Sequence, residues 1–272
     1  MHSQTGNNAI SGSITEAIIQ YRGVEQLVAR QAHNLEVARS SRTPATKWWW
    51  NPLVKDSLFA KGFFFVLETG KTRPSYSNMV ILYIHGFASS GTNGSAVLLR
   101  NHFYPSGVQV LSPDVPVEPL RAIAFLKEYV AEHRPDLIIA VSMGAMYAEQ
   151  LHGIRRILVN PSFIMARLLT FRGMGRQEFR NPRADGAKGF KVDKQMIADF
   201  KEVEKQSFKD ITPEEKQLVW GLFGTKDKHV NCQADFRKHY GTAQMSLFEG
   251  EHYLNGAVLS HVVIPLAEKI LG

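Results

Sequence analysis

Residues 79–272 predict an α/β fold built on a mainly parallel six-stranded sheet, and three observations carry that expectation. Short apolar runs recur through this part of the chain, at Val80–Ile84, Val108–Leu111, Leu137–Val141, Arg156–Val159, Leu218–Phe223 and Ala243–Phe248. Helix-forming stretches near 93–103, 117–133, 143–152, 231–240 and 255–270 separate or follow most of them. The third run, Leu137-Ile-Ile-Ala-Val141, is apolar without alternation, as a parallel strand covered on both faces requires. Strands alternating with helices imply right-handed crossovers and a sheet sandwiched between helical layers.

The chain opens differently. Ser13-Ile-Thr-Glu16 is a capping box, and Ile14, Ile18, Tyr21, Val24, Val28 and Leu35 follow at helical spacing, so residues 13–40 predict one amphipathic helix. Ser40-Ser-Arg-Thr-Pro44 breaks it, and two aromatic clusters follow, Trp48-Trp-Trp-Asn-Pro52 and Phe63-Phe-Phe-Val-Leu67. These admit three readings: packing on the main domain, weak interfacial association of 48–67 with a membrane surface, or a segment outside the normal translation product. The last has a motive in Met79, which follows the polar linker Lys71–Asn78 and stands directly before the first strand. Residues 1–78 are accordingly expected to be an N-terminal extension dispensable for chemistry, and 79–272 a domain of its own.

Composition narrows the function classes. The net charge of +7 is spread evenly, nine basic against five acidic residues in 1–78 and 23 against 20 in the remainder, so no nucleic-acid partner is expected. No apolar run approaches the ~18–20 residues of a membrane span, and the opening residues lack a signal-peptide pattern. Cys232 is the only cysteine, which excludes an intrachain disulfide and a cysteine-based zinc site and agrees with a reducing compartment. A cytoplasmic protein is the expectation.

In sheets of this kind the working residues lie at the carboxyl ends of the strands, and here those ends hold the informative residues. The first run leads into His85-Gly-Phe-Ala-Ser-Ser-Gly91 and the second into Ser112-Pro-Asp-Val-Pro116. The third meets Ser142 in Ala140-Val-Ser-Met-Gly144, a near match to the strand-to-helix turn that exposes a nucleophilic serine. The fourth ends at Asn160-Pro161, the fifth at Gly224-Thr-Lys-Asp227, and the sixth is followed by Gly250-Glu-His252. Serine, aspartate and histidine thus appear in that order, each beyond a different strand.

Together these segments resemble the YqiA-like esterases, a branch of the α/β-hydrolase superfamily, over roughly residues 79–272. The resemblance implies a three-layer α/β-hydrolase fold and a serine hydrolase acting on a small-molecule carboxylic ester, with no metal or organic cofactor. Ala140 and Ala145 depart from it where glycines are common.

The chemistry assigns roles by residue type. Ser142 is a poor nucleophile at neutral pH, so His252 must take its proton and later return it to the leaving group. An acid must orient the imidazole; Asp227 is the choice, with Glu251 and Asp114 as rivals. Backbone amides of Phe87 and Met143, the first placed by analogy with the loop after the corresponding strand, would hold the oxyanion. His85 is read as a structural residue bonding loop backbone. Residues of about 161–216 form an insertion between the fourth and fifth strands, where a lid is expected. Arg167, Arg172, Arg176, Arg180, Arg183, Lys188, Lys191 and Lys194 in it suit either a cap favouring negatively charged acyl groups or a solvated face over packed aromatics. Two function classes stay open: an ester or thioester hydrolase, and a binder with this fold and no turnover.

Overall fold

The computed structural model describes residues 78–272. The expected helix over 13–40 and both aromatic clusters lie outside the described residues.

Six strands form one sheet in the order β2-β1-β3-β4-β7-β8, and every pairing in it is parallel. They are β1 (Val80–Ile84), β2 (Gln109–Leu111), β3 (Leu137–Val141), β4 (Arg155–Val159), β7 (Val219–Gly224) and β8 (Met245–Phe248). Each lies within two residues of a predicted run. The chain winds outward from β1 in one direction to β2 and in the other to β3, so a crevice opens between β1 and β3 at their carboxyl ends.

The alternation of side chains splits the core into two layers. Ile81, Tyr83, Ile139, Val141 and Val159 face α1 (Gly94–Phe103) and the C-terminal helical run, which begins in α8 (Gly256–Val258) and ends in α9 (Ile264–Leu271). Leu82, Ile84, Ile138, Ala140 and Leu158 face α2 (Pro119–His133) and α3 (Met143–Glu149). All five residues of β3 are buried, and each large apolar side chain so enclosed contributes about 1.5–3 kcal/mol of transfer free energy. Strand and helix alternation predicted this parallel sheet between helical layers, and the arrangement is the three-layer α/β-hydrolase fold that the family resemblance implied.

Helix ends follow local chemistry. Asn93 caps α1 by accepting from the Ala96 amide, and Pro119 opens α2 where its missing N–H costs nothing. The helix expected over 143–152 stops at Glu149, because the buried Arg156 guanidinium donates to the carbonyls of Ala148, Glu149 and Leu151 and pairs with Glu215. That cation takes over the orphan acceptors at the helix end. Cys232 precedes α7 (Gln233–Tyr240), two residues shorter than expected, and burial pushes its thiol up to about 11.

The insertion is ordered. It contains α4 (Met165–Arg172), a two-stranded antiparallel sheet of β5 (Gly175–Glu178) and β6 (Gly189–Val192), α5 (Lys194–Glu204) and α6 (Pro213–Gln217). The hairpin has no sequence signature: Gly-Arg-Gln-Glu in β5 is polar and alternates between half-buried and exposed. Among the described residues no helix is long and apolar enough to cross a membrane.

Candidate active site

Ser142 ends the buried run of β3 with φ 55° and ψ −118°, a backbone conformation that costs a residue with a Cβ about 1–3 kcal/mol. Surrounding contacts hold it there. Its amide donates to the Val159 carbonyl, and its own carbonyl accepts from Ala145, Met146 and Ser162. Its side chain makes no capping bond to α3. The motif glycine is a matter of space: a Cβ on Gly144 would sit 2.5 Å from the His85 carbonyl oxygen and 2.6 Å from that of Ile84. Ala140, where a glycine is common, has its methyl buried among Leu82, Ile138 and Leu158. Its extra carbon therefore lies in the core layer and leaves the serine side of the turn open.

The Ser142 hydroxyl lies 2.9 Å from Nε2 of His252, and Nδ1 of the same ring lies 2.7 Å from Oδ2 of Asp227. Both partners of the second contact are nearly buried, with 8% and 4% of their side-chain surface exposed, which keeps water from competing for it. The other Asp227 oxygen accepts from the amides of His229 and Val230, so the carboxylate is held at both ends. An Nδ1–H directed at a carboxylate leaves Nε2 free to accept from the serine.

The rival acids point elsewhere. Asp114 accepts from the amides of Gly91 and Ala184, tying the loop after β1 to the insertion. The Glu251 side chain is exposed, and only its carbonyl takes part, accepting from Asn160. His85 bonds backbone at both nitrogens, donating from Nδ1 to Gly86 and accepting at Nε2 from the Val115 amide; burial lowers its pKa. It is a structural histidine.

Of the two amides proposed for an oxyanion, that of Met143 heads α3, where the first turn has no intrahelical acceptor. Phe87 follows Gly86, whose added Cβ would lie 3.4 Å from the Ser142 Cβ, so this loop borders the serine. The Phe87 ring packs edge-on against Phe190 of β6 at 5.3 Å.

Asn160 has a role the sequence did not disclose. At φ 44°, a conformation asparagine tolerates better than most residues, it accepts at Oδ1 from the Gly224 amide and donates from Nδ2 to the carbonyls of Glu251 and His252. One side chain at the end of β4 therefore grips the loop carrying Asp227 and the loop carrying His252.

A cavity of about 750 Å³ opens over Ser142. Met165, Leu168 and Leu169 of α4 contribute apolar wall, so the insertion covers the site as a lid does. Among the described residues no group of three His, Cys, Asp or Glu side chains converges to hold a metal ion.

Solved structures share the fold at low identity. Est1E from Butyrivibrio proteoclasticus, solved with ferulic acid bound, superposes with a TM-score of 0.51 at 16% identity over 72% of this chain and 88% of its own. Alpha/beta hydrolase domain-containing protein 10 from mouse gives 0.51 at 13% identity over 71% and 90%, and a protein of Agrobacterium vitis S4 gives 0.51 at 14% over 74% and 91%. The model of an uncharacterised protein family, UPF0227, matches residues 80–262, from the first strand to the C-terminal helical run. With more than half of its length in that match, the chain belongs to UPF0227, the YqiA-like family within the α/β-hydrolase superfamily.

Proposed function

We propose that the protein is a serine hydrolase that cleaves carboxylic esters, or the chemically equivalent thioesters, through an acyl-enzyme. The observation that carries the reading is the strained Ser142 turn with Oγ 2.9 Å from His252 Nε2, while the other ring nitrogen faces a buried, doubly held Asp227 carboxylate. In this reading Oγ attacks the carbonyl carbon as His252 accepts its proton. The carbonyl π pair moves onto oxygen, where the amides of Phe87 and Met143 receive it; removing one such donor costs about 3 kcal/mol in the transition state. Collapse breaks the bond to the alcohol or thiol, which leaves with the proton from His252. Water then attacks the acyl carbon and gives a proton to His252, and expulsion of Oγ returns that proton to Ser142 with release of the acid. Asp227 keeps the proton on Nδ1 and stabilises the charged ring. A cytoplasmic setting, with which the lone cysteine agrees, goes with this proposal.

The test is a fluorophosphonate probe applied to the full chain. Covalent labelling of wild type that disappears in Ser142→Ala supports the reading. An unlabelled but folded wild type would leave a ligand binder of the same fold.

A further inference from the structure

Eight basic side chains in the insertion were candidates for contact with substrate, and one of them, Arg180, lines the cavity. Among the described residues no aspartate or glutamate lines it. Arg180 is held in place from both directions. Its amide donates to the Ala88 carbonyl at 2.8 Å, and the residues after it are fastened to the same loop by Ser89 to Asn181 and Thr92 to Pro182. Its guanidinium carbon lies 4.7 Å from the centre of the Tyr253 ring, and Nη2 donates to the Tyr253 hydroxyl at 3.1 Å. Among the described residues it pairs with no carboxylate, and apart from the bond to Tyr253 the side-chain donors of this exposed residue face solvent.

The direction in which Arg180 lies follows from its neighbours. Tyr253 packs edge-on against His252, with ring centres 5.5 Å apart, and His229 touches both rings. His252 is the group that must protonate the departing oxygen or sulfur, so whatever is attached to that atom extends along the histidine side of the cavity. Tyr253 and Arg180 are the next groups on that path.

We propose that Arg180 binds a carboxylate carried on the alcohol or thiol part of the substrate, which makes the protein selective for esters with an anionic leaving group. The inference rests on the serine hydrolase reading above. A planar guanidinium with parallel donors fits a carboxylate in two-point contact, and stacking on Tyr253 keeps its face apolar and its edge available.

Three chromogenic esters test it with the full chain: 4-nitrophenyl acetate, 5-acetoxy-2-nitrobenzoate with the carboxylate on the leaving group, and the 4-nitrophenyl monoester of glutaric acid with the carboxylate on the acyl side. The readout is the ratio of kcat/KM for each charged ester to that for the neutral one. Arg180→Gln is expected to lower the leaving-group ratio about tenfold, as loss of one charge-assisted contact does, and Arg180→Lys to restore part of it. A leaving-group ratio that changes less than twofold, or a loss confined to the glutarate ratio, overturns the proposal. Binding of 5-hydroxy-2-nitrobenzoate, followed by its absorbance, separates this from the hydrolase reading because it needs no turnover. If none of the esters is cleaved, the role given to Ser142 fails. Arg180 is then upheld by product binding about tenfold weaker in Arg180→Gln and overturned by unchanged binding.

Discussion

The turn at Ser142 and the strap at residues 179–184 both border the cavity, yet they are held by opposite means. At the turn, β3 and all seven residues of α3 are buried, and Gly144 has no room for a methyl group. The strap alternates half-buried and exposed residues and is tied down by separate hydrogen bonds, Ser89 and Thr92 donating to Asn181 and Pro182, and the Ala88 carbonyl and Asp114 carboxylate accepting from the amides of Arg180 and Ala184. Close packing fixes Ser142 and tolerates no added volume. Discrete polar ties fix the cavity rim and can be changed one at a time.

The largest expected effect comes from the reacting groups. His252→Ala should lower ester hydrolysis roughly 10⁴-fold or more with the fold retained, and Asp227→Asn should come close behind, because such groups act as one unit. Near-normal turnover in Asp227→Asn, with loss in Asp114→Asn, would reverse the assignment of the acid.

Gly144→Ala tests the packed side. Its Cβ would meet two backbone oxygens that cannot swing aside, so urea unfolding should show a loss of about 3 kcal/mol, at the upper end of overpacking penalties. A loss below about 0.5 kcal/mol would mean that α3 can move off β1, and the contrast drawn above would fail.

Asn160→Ala lies between the two regimes. It leaves one amide and two carbonyls without their partner, and a stability loss of about 2 kcal/mol is expected, with a larger fractional fall in kcat than in 1/KM. Asn160→Asp should retain the Gly224 bond but turn a buried carboxylate oxygen toward the two carbonyls, so it should be at least as destabilising as alanine.

On the strap side the expected lever is pH. Burial holds the pKa of His85 below its ordinary value, so the folded protein keeps the ring neutral while the unfolded chain binds a proton below about 6.5. Stability should therefore fall as pH drops through that range. The ring accepts from Val115, whose carbonyl in turn receives Arg183. His85→Gln should flatten the decline in Tm between pH 7.5 and 5.5, and an equally steep decline in the variant would acquit this residue.

The smallest effect is expected from the N-terminus. We propose residues 79–272 as the catalytic unit, since the six strands and all the candidate residues lie within it. A chain beginning at Met79 should fold and hydrolyse 4-nitrophenyl acetate within a few-fold of the full chain. Insoluble product would show that the first 78 residues complete the core.

What was legible in the sequence was what is local. Leu137–Val141 announces a buried strand by composition alone, and Ser142 and Gly144 announce the turn by spacing. Which carboxylate meets His252 could not be read from the sequence, since Asp114, Asp227 and Glu251 all follow strands and differ only in where the chain carries them. Asn160 looked like an ordinary strand end because its partners are 64 to 92 positions away. Arg180 was one basic residue among eight; what distinguishes it is contact with Tyr253, 73 positions later. The hairpin of β5 and β6 escaped because β5 is polar, β6 offers only Phe190 and Val192 as an apolar pair, and no tight turn joins them; pairing across the insertion stabilises both.

The grip of Asn160 also bears on thermal motion. Asp227 and His252 sit on separate loops, and two independently fluctuating loops would let the distance between carboxylate and imidazole vary by the sum of their excursions. Tied to one amide on the rigid sheet, the loops are displaced in phase. The 2.7 Å contact between Nδ1 and the carboxylate then survives displacements that move both loops together.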